Sequence, residues 1–370
     1  MMVKEILLAL LICIALLSVG IVIYLKHPMF GRAPNGTTFQ KLSRSPNYVD
    51  GQFQNLIDTP LNSEGGIFAS LWEYFFTKKK RLVPTDPIPT IKTDLMVLDR
   101  GKDIVIWLGH SSYFMQLGGK RILIDPVLSS YASPVPFVNK SFWGTNIYTP
   151  EDIPEIDYLL ISHDHWDHLD YPTITALKPK IKNVITGLGV GAYFEQWGFD
   201  HKQIHEADWL STIELEKDFV IHILPARHFS GRLLTKNKTL WIGFAIETPE
   251  RHIFYSGDSG YGPHFKKIGD MFNGFDLVIM ENGQYDKSWT YIHMMPEEVA
   301  KAGEDLKAKA LLPGHSGKFA IANHPWDEPL KRITEASQGR NYKLLTPMIG
   351  DQIEIGNQEQ CSVHWWEGVN

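Results

Sequence analysis

The sequence HDHWDH at residues 163–168 follows directly on the apolar run YLLI at residues 158–161. Such an apolar run is typical of a buried strand, and imidazoles gathered at its end need a partner, because burying unpaired polar groups is costly. Side chains two positions apart in an extended segment point the same way, so His163 and His165 can converge on one ion. The stretch therefore predicts a metal site where a buried strand ends.

Further candidate ligands extend this site. Asp167 and His168 lie on the next bend and can face a second ion, at the spacing that two-metal hydrolytic sites use. His228, Asp258 and His315 each follow an apolar run, and the glycines around Asp258 let the backbone approach closely enough for its carboxylate to bridge two ions. Imidazole and carboxylate donors suit two divalent ions such as zinc, with iron or manganese as alternatives.

The composition is that of a folded protein and excludes several classes. The 370 residues are 44% hydrophobic and 21% charged, which rules out a disordered, collagen-like or coiled-coil chain. A formal net charge of −6 gives no overall attraction to nucleic acid, so no nucleic-acid partner is expected. Cys13 and Cys361 are the only cysteines in the sequence, which excludes a disulfide scaffold and argues against a cysteine-based zinc site.

The N-terminal residues predict a membrane anchor. Residues 6–25 carry no charge, and as a helix they span roughly 30 Å, the thickness of a hydrocarbon core. We therefore expect residues 1–26 to form one transmembrane helix, with a signal peptide as the alternative. Basic residues flank the run on both sides, and the side of the membrane on which the body lies stays open.

Residues 27–100 are rich in proline, asparagine, glycine and threonine, and we expect an extended lead-in packed on the body rather than a separate domain. Within it, the aromatic residues of 71–76 run into the basic residues of 78–81. This aromatic–basic segment could rest on an anionic membrane surface, or form a short helix packed on the body with a solvated basic end.

From residue 104 onward, short apolar runs alternate with helical stretches, which predicts an α/β body over residues 101–370. The expected strands are 104–108, 113–117, 122–124, 158–161, 220–224, 240–246, 253–255 and 277–280. The expected helices are 172–177, 191–196, 296–306 and 326–336.

The order of these residues resembles a known family. H-x-H-x-D-H followed by His, Asp and His is similar to the metallo-β-lactamase superfamily, which implies a four-layer αββα sandwich with a two-metal site at one edge. More narrowly, five stretches resemble the N-acylphosphatidylethanolamine-hydrolysing phospholipase D group and its bacterial relatives: WLGHSS at 107–112, DPVLS at 125–129, the segment 161–171, SGDSGY at 256–261 and HMMPEE at 293–298.

The resemblance implies a ligand set for each of two ions. His163, His165 and His228 would hold the first ion, Asp167, His168 and His315 the second, and Asp258 would bridge them.

The resemblance also implies roles around the ligands. Asp125 would accept a hydrogen bond from a ligand histidine, as ligating imidazoles generally require. His110 opens a loop after a strand and either lines the pocket or makes a structural hydrogen bond. His293 would contact the substrate or donate a proton, which makes Asp167, Asp258 and His293 the candidate catalytic residues.

The sequence departs from the group at two places. Trp166 stands where relatives often have tyrosine, and Lys140 is the only cation of residues 137–142, where a glycine-proline-lysine-arginine run is expected. Both residues are expected to border the pocket, so they bear on head-group specificity rather than on hydrolysis.

The activity that the resemblance implies is a phosphodiesterase of the phospholipase D type, in which hydroxide activated by two metals attacks the phosphorus of an N-acylphosphatidylethanolamine-like membrane phospholipid. A lactonase or other small-ester hydrolase is the first alternative, because activated water also attacks carbonyl carbon. A di-iron redox protein is the second, but Asp164 stands where such proteins often have glutamate. The aromatic content of 12% allows a homodimer or a lipid-binding groove.

Overall fold

The computed structural model describes residues 2–32, 34, 36–61, 80–232, 235–357, 359–360 and 362–370. Most of the aromatic–basic segment, residues 71–79, and Cys361 lie outside the described residues.

The α-helices in chain order are α1 (Met2–Leu25), α2 (Gly36–Leu42), α3 (Tyr171–Leu177), α4 (Gly191–Gln196), α5 (His264–Phe272), α6 (Pro296–Asp305) and α7 (Glu328–Ala336). The strands are β1 (Tyr48–Val49), β2 (Gln52–Phe53), β3 (Ile104–Gly109), β4 (Ser112–Leu117), β5 (Lys120–Ile124), β6 (Ile156–Ile161), β7 (Ile181–Gly187), β8 (Ile204–Ala207), β9 (Thr212–Glu216), β10 (Phe219–Pro225), β11 (Ile242–Glu247), β12 (His252–Tyr255), β13 (Leu277–Glu281), β14 (Ala310–Gly314), β15 (Lys343–Leu344) and β16 (Gln352–Glu354).

Within the described residues, two mixed seven-stranded sheets carry the body. The N-terminal sheet has the order β16-β3-β4-β5-β6-β7-β8, antiparallel from β16 to β5 and parallel from β5 to β8. The C-terminal sheet has the order β15-β14-β13-β12-β11-β10-β9, antiparallel from β9 to β12 and parallel from β12 to β15.

Several strands consist almost entirely of apolar residues. Both faces of these strands are buried, one against the other sheet and one against a layer of helices. On β6, Tyr158 and Leu160 join the core between the two sheets, while Leu159 and Ile161 face the layer that contains α3 and α4. The C-terminal sheet repeats this alternation, and its outer face packs on α5, α6 and α7. Since side chains alternate along a strand, a continuous apolar run signals burial on both sides. The layers therefore run helix, sheet, sheet, helix, and the predicted αββα sandwich is confirmed.

The residues before the body divide into an exposed apolar helix and a segment that packs on the body. Residues 3–25 are apolar enough to cross a membrane, with a mean hydropathy of 3.3, and no part of this span is buried in the protein. Further along, Leu42, Phe53, Ile88 and Leu95 are buried in the cores of the body. The described parts of residues 27–100 thus contribute to the body, although they include α2 and a β1–β2 hairpin that the sequence analysis did not predict.

The predicted elements of the body agree closely with the structure. All eight predicted strands and all four predicted helices are present, with ends that shift by one or two residues in most cases. The sequence analysis missed β7, β8, β9, β15, β16 and α5, and it described β14 only as an apolar run. Most of the missed strands are short, partly exposed or at sheet edges, where the apolar signal is weakest.

Phe244 tests the contribution of the inter-sheet core. It lies in the middle of β11, fully buried between the sheets. We expect Phe244→Ala to lower the free energy of unfolding by about 3–5 kcal/mol, through lost burial and the cavity left behind. The measurement is denaturant unfolding of the full chain in detergent. The control is Val97→Ala, at a residue that is 77% exposed, and equal stability of the two variants would contradict this description of the core.

Candidate metal centre

The candidate ligands lie where strands of both sheets end along one edge. His163 follows β6, His110 follows β3 and Asp125 follows β5 in the N-terminal sheet. In the C-terminal sheet, β10 leads to His228, β12 to Asp258 and β14 to His315. Because parallel neighbours end at the same edge of a sheet, residues far apart in sequence converge there.

The first four residues of the HDHWDH loop turn their side chains alternately toward and away from this edge. His163 and His165 face the centre, whereas the buried carboxylate of Asp164 faces the opposite side. There it accepts hydrogen bonds from Gly231 N (2.7 Å), Tyr193 Oη (2.9 Å) and Thr239 Oγ1 (3.0 Å). Asp164 therefore fixes the loop and does not face an ion.

The first cluster contains His163, His165, His228 and Asp258. His165 Nδ1 lies 2.9 Å from His163 Nε2 and 3.3 Å from His228 Nε2. Asp258 Oδ2 lies 3.7 Å from both of these Nε2 atoms. Donors at about 2.0–2.1 Å from a tetrahedral zinc ion are about 3.3 Å apart, so this spacing fits one ion.

Hydrogen bonds and burial leave these imidazoles ready to donate lone pairs. His228 Nδ1 donates to Ile292 O (2.9 Å), which turns Nε2 toward the cluster. Burial lowers the pKa of His163 and of His228 well below the usual range, and that of His165 to about 4. Neutral imidazole is the form that binds a metal ion.

The second cluster contains Asp167, His168, His315 and also His110. Asp167 Oδ2 lies 2.9 Å from His110 Nε2, 3.6 Å from His168 Nε2 and 3.9 Å from His315 Nε2. From the sequence, His110 is expected only as a pocket or structural residue. In the structure it contacts Asp167, a candidate ligand.

Asp258 is in contact with both clusters. Its Oδ2 atom lies 3.2 Å from His168 Nε2, in addition to the contacts with the first cluster, and its Oδ1 atom lies 3.1 Å from His315 Nδ1. Burial raises the pKa of Asp258 to about 6, even though His168 favours the ionised form. This carboxylate therefore lies between the two clusters, and its bridging role stays a prediction.

Unpaired buried atoms show that ions fit here. His168 Nε2 and Asp258 Oδ1 are buried and make no hydrogen bond. Leaving such an atom unsatisfied costs roughly 1–3 kcal/mol, and an ion between the clusters would satisfy both. Imidazoles, carboxylates and the absence of a described cysteine nearby suit zinc, iron or manganese.

Asp125 orients His168. Asp125 Oδ2 lies 2.8 Å from His168 Nδ1, and Asp125 also accepts hydrogen bonds from Ser162 N (2.8 Å) and Tyr255 Oη (2.6 Å). Burial alone would lower the pKa of His168, but Asp258, Asp167 and Asp125 raise it well above its ordinary value. With the Nδ1 proton held by Asp125, Nε2 is left to face an ion, as the sequence analysis expects.

Three residues of the centre have a left-handed backbone. His110, Asp125 and His315 have φ values of 53°, 40° and 58°. This conformation is uncommon for residues other than glycine and is often found at functional sites. The fold therefore maintains unfavourable backbone geometry in order to direct these side chains.

A cavity of about 320 Å³ opens above the clusters. His165, Asp167, Asp258, His293 and His315 form its floor. Its walls are mostly apolar and are formed by Leu61, Phe229, Trp289, Ile292 and Ile321, with Lys236 and Gln284 as polar members.

A buried acidic residue supports His293. Glu281 Oε2 lies 2.7 Å from His293 Nδ1, and Glu281 Oε1 accepts a hydrogen bond from Met294 N (2.6 Å). His293 Nε2 is thereby left to face the cavity. The sequence analysis missed Glu281, although the available signal was the one it used elsewhere: a carboxylate at the end of an apolar strand.

Two expected pocket residues do not line this cavity. Lys140 lies in a separate cleft beside Phe137 and Trp143, so it is not the cation near the ligands. Among the described residues that line the metal cavity, Lys236 is the one basic residue besides the histidines. Trp166 faces away from the cavity: its ring packs on Phe30 at 5.4 Å and on the guanidinium of Arg232 at 4.1 Å.

Comparison with known proteins identifies the family of this chain. A family profile described as Beta-lactamase superfamily domain matches residues 120–316. The chain belongs to this superfamily. It is 31% identical over 71% of its length to N-acyl-phosphatidylethanolamine-hydrolyzing phospholipase D 1 of Caenorhabditis elegans, covering 77% of that protein. It is 65% identical to Outer membrane protein RomA of Klebsiella pneumoniae, over 26% of this chain and 74% of that protein.

The fold also matches a solved structure. Igni18, a metallo hydrolase from Ignicoccus hospitalis, superposes with a TM-score of 0.52 at 20% identity, over 68% of this chain and 97% of that chain. The present chain is thus a metal-dependent hydrolase of the superfamily, and its histidine and aspartate clusters are able to bind metal ions. The predicted family is confirmed.

Asp258→Asn tests the shared carboxylate. We expect the purified wild-type chain to contain about two transition-metal ions. The variant should contain fewer, because an amide cannot supply the negative charge that both clusters share. Metal content per chain by mass spectrometry decides this, and an unchanged content in the variant would contradict the assignment.

Asp125→Asn tests the support of His168. The amide is a weaker partner for the Nδ1 proton, so metal affinity should fall about 10–100-fold. The measurement is metal release in competition with a chelator. Asp218→Asn is the control, because the Asp218 side chain is 60% exposed and does not contact the centre. Equal affinities of the two variants would refute the orienting role.

Proposed function

We propose that this hydrolase is a phosphodiesterase of the phospholipase D type, anchored in a membrane by α1 and acting on N-acylphosphatidylethanolamine-like phospholipids. The observation that carries the proposal is the position of Asp258 between two ligand clusters, at the floor of a mostly apolar cavity that is also lined by His293, the partner of Glu281. The name of the C. elegans relative supports the same substrate class.

The charges in the cavity fit a phosphodiester. Two bound divalent ions would activate a water molecule and neutralise charge on the phosphoryl oxygens. Lys236 adds a positive charge at the wall, where it can attract an anionic head group. The apolar wall residues can contact the part of an acyl chain that lies nearest the head group.

His293 is positioned to protonate the leaving group. Hydrolysis on the ethanolamine side of phosphorus breaks a P–O bond and releases an N-acylethanolamine, whose oxygen must gain a proton. His293 lies beside both clusters, with its ring 4.9 Å from that of His228 and 5.2 Å from that of His315. Glu281 holds Nδ1 and fixes the ring, so that Nε2 can hold and deliver the proton.

The anchor fits a substrate that resides in a membrane. The apolar span of residues 3–25 is long enough to cross a bilayer, and the name of the K. pneumoniae relative also points to the cell envelope. Fixing the enzyme to the membrane raises the local concentration of a lipid substrate.

The direct test uses the full chain in detergent micelles containing an N-acylphosphatidylethanolamine, with and without a chelator. Mass spectrometry should detect phosphatidic acid and the N-acylethanolamine, and the chelator should abolish both. If a metal-loaded preparation releases neither product but hydrolyses a lactone, the proposal is wrong and the lactonase alternative is correct.

Substrates with different leaving groups test His293. We expect His293→Gln to slow hydrolysis of the phospholipid roughly 100-fold or more, because an alkoxide needs a proton to leave. Hydrolysis of a p-nitrophenyl phosphodiester should slow far less, since p-nitrophenolate leaves unprotonated. Glu281→Gln should show the same selectivity in a milder form.

Glu297→Gln is the matched control for these variants. Glu297 lies in the first turn of α6, close in sequence to His293, but it pairs with Arg332 at the surface, at 2.6 Å. Equal losses on both substrates for His293→Gln would show that this histidine positions the substrate or packs, and does not act as a proton donor.

A further inference from the structure

A loop outside the metal centre exposes large aromatic side chains. Residues 131–144, here called the aromatic loop, fold back on themselves through the bridge between Tyr131 and Lys140. Phe137 is 83% exposed and Trp143 is 69% exposed. Exposed apolar side chains that are grouped mark an interaction surface more often than those that are scattered singly.

The aromatic loop borders a wide cleft. The cleft has a volume of about 930 Å³, and its apolar lining includes Phe137, Trp143, Leu82 and Val83. Lys140 is also part of the lining. Aromatic rings combined with a nearby cation suit the interfacial region of a bilayer, where rings enter the head-group layer and a lysine meets lipid phosphates.

The end of α1 contacts this loop. Tyr24, the second-last residue of α1, donates a hydrogen bond from its hydroxyl to Pro134 O in the aromatic loop. The following residues are fixed on the body: Trp197 Nε1 donates to Pro28 O (2.9 Å), and Arg32 pairs with Glu195 at 2.6 Å. The end of a membrane-spanning helix therefore touches the aromatic loop itself, with no flexible linker between them.

We propose that the aromatic loop inserts into the head-group region of the bilayer that α1 crosses and holds the metal centre against that surface. The proposal rests on the anchor in the proposed function. Tyr24 would lie at the level of the interface, where tyrosine is enriched in membrane proteins, and Phe137 and Trp143 would lie at a similar depth.

The base of the loop connects this surface to the metal centre. Phe142 N donates to Lys318 O (2.8 Å), and Lys318 Nζ donates to Val127 O (2.8 Å). Along the same segment, Ala320 lines the aromatic cleft and its neighbour Ile321 lines the metal cavity. One chain segment thus separates the aromatic cleft from the metal cavity. A lipid that leaves the bilayer through the cleft would have to pass only this segment to reach the ligands.

A depth measurement tests the insertion. In the full chain with Cys13 and Cys361 replaced by alanine, Phe137→Cys carries an environment-sensitive fluorophore, and the protein is reconstituted in phosphatidylcholine–phosphatidylglycerol vesicles. Lipids with a nitroxide high on the acyl chain should quench this label and leave a label at Val97→Cys unquenched. Val97 is 77% exposed and lies outside the aromatic loop.

The two labels also separate the alternatives. If the label at position 137 shows water-like emission and no quenching, as the label at position 97 should, the proposal is wrong. Unquenched but blue-shifted emission, together with disulfide cross-linking between copies of the unlabelled Phe137→Cys chain, would instead identify the loop as a contact with a second copy of the chain and would equally overturn it.

A functional test distinguishes failure of this proposal from failure of the proposed activity. We expect Phe137→Ser/Trp143→Ser to slow hydrolysis of vesicle lipid about 10-fold or more, because the centre is then held less well against the surface. The same variant should hydrolyse a water-soluble p-nitrophenyl phosphodiester at the wild-type rate. Unchanged turnover of vesicle lipid would contradict the insertion, whereas no activity on either diester in the wild type would refute only the proposed activity.

Discussion

The carboxylate of Asp258 is the contact on which the metal centre depends. It extends from the C-terminal sheet, and it lies within 3.7 Å of His163 and 3.2 Å of His168, which follow a strand of the N-terminal sheet. The first and the second cluster each take donors from both sheets, so both clusters exist only while the two sheets stay packed. The large apolar core between the sheets therefore has a functional consequence: it fixes the distances between donors from the two sheets.

A second set of buried groups keeps the donors pointed correctly. Asp125 fixes His168, Asp164 fixes the loop that carries His163 and His165, and Glu281 fixes His293. Each of these acids is buried, and each accepts hydrogen bonds that offset the cost of burying a carboxylate. The arrangement follows the general rule that ligands need oriented neighbours, and here those neighbours also come from the ends of strands.

The fold and the ligand positions could be predicted from the sequence because their signals are local. Apolar runs such as 158–161 reveal strands buried on both faces, and a histidine or aspartate after each run marks the edge where strands end. The sequence did not predict which side chains turn inward beyond the first bend. His110 and Glu281 therefore received a weaker role or none, and Lys140 was expected near the ligands although it lies in another cleft. Such placements depend on how loops from different strands pack, which one sequence does not encode locally.

Arg232 connects the segment after α1 to the metal loop. Its buried guanidinium donates to Asp164 O (2.6 Å), to Leu169 O and to Met29 O, and its plane stacks on Trp166. The same cation therefore satisfies backbone carbonyls at both ends of the ligand loop and one just after α1. Since a buried guanidinium must keep its acceptors, the segment leaving the helix cannot shift without disturbing the loop that holds His163, His165, Asp167 and His168. Through Arg232, the orientation of the body relative to α1 is therefore coupled to the geometry of the metal centre.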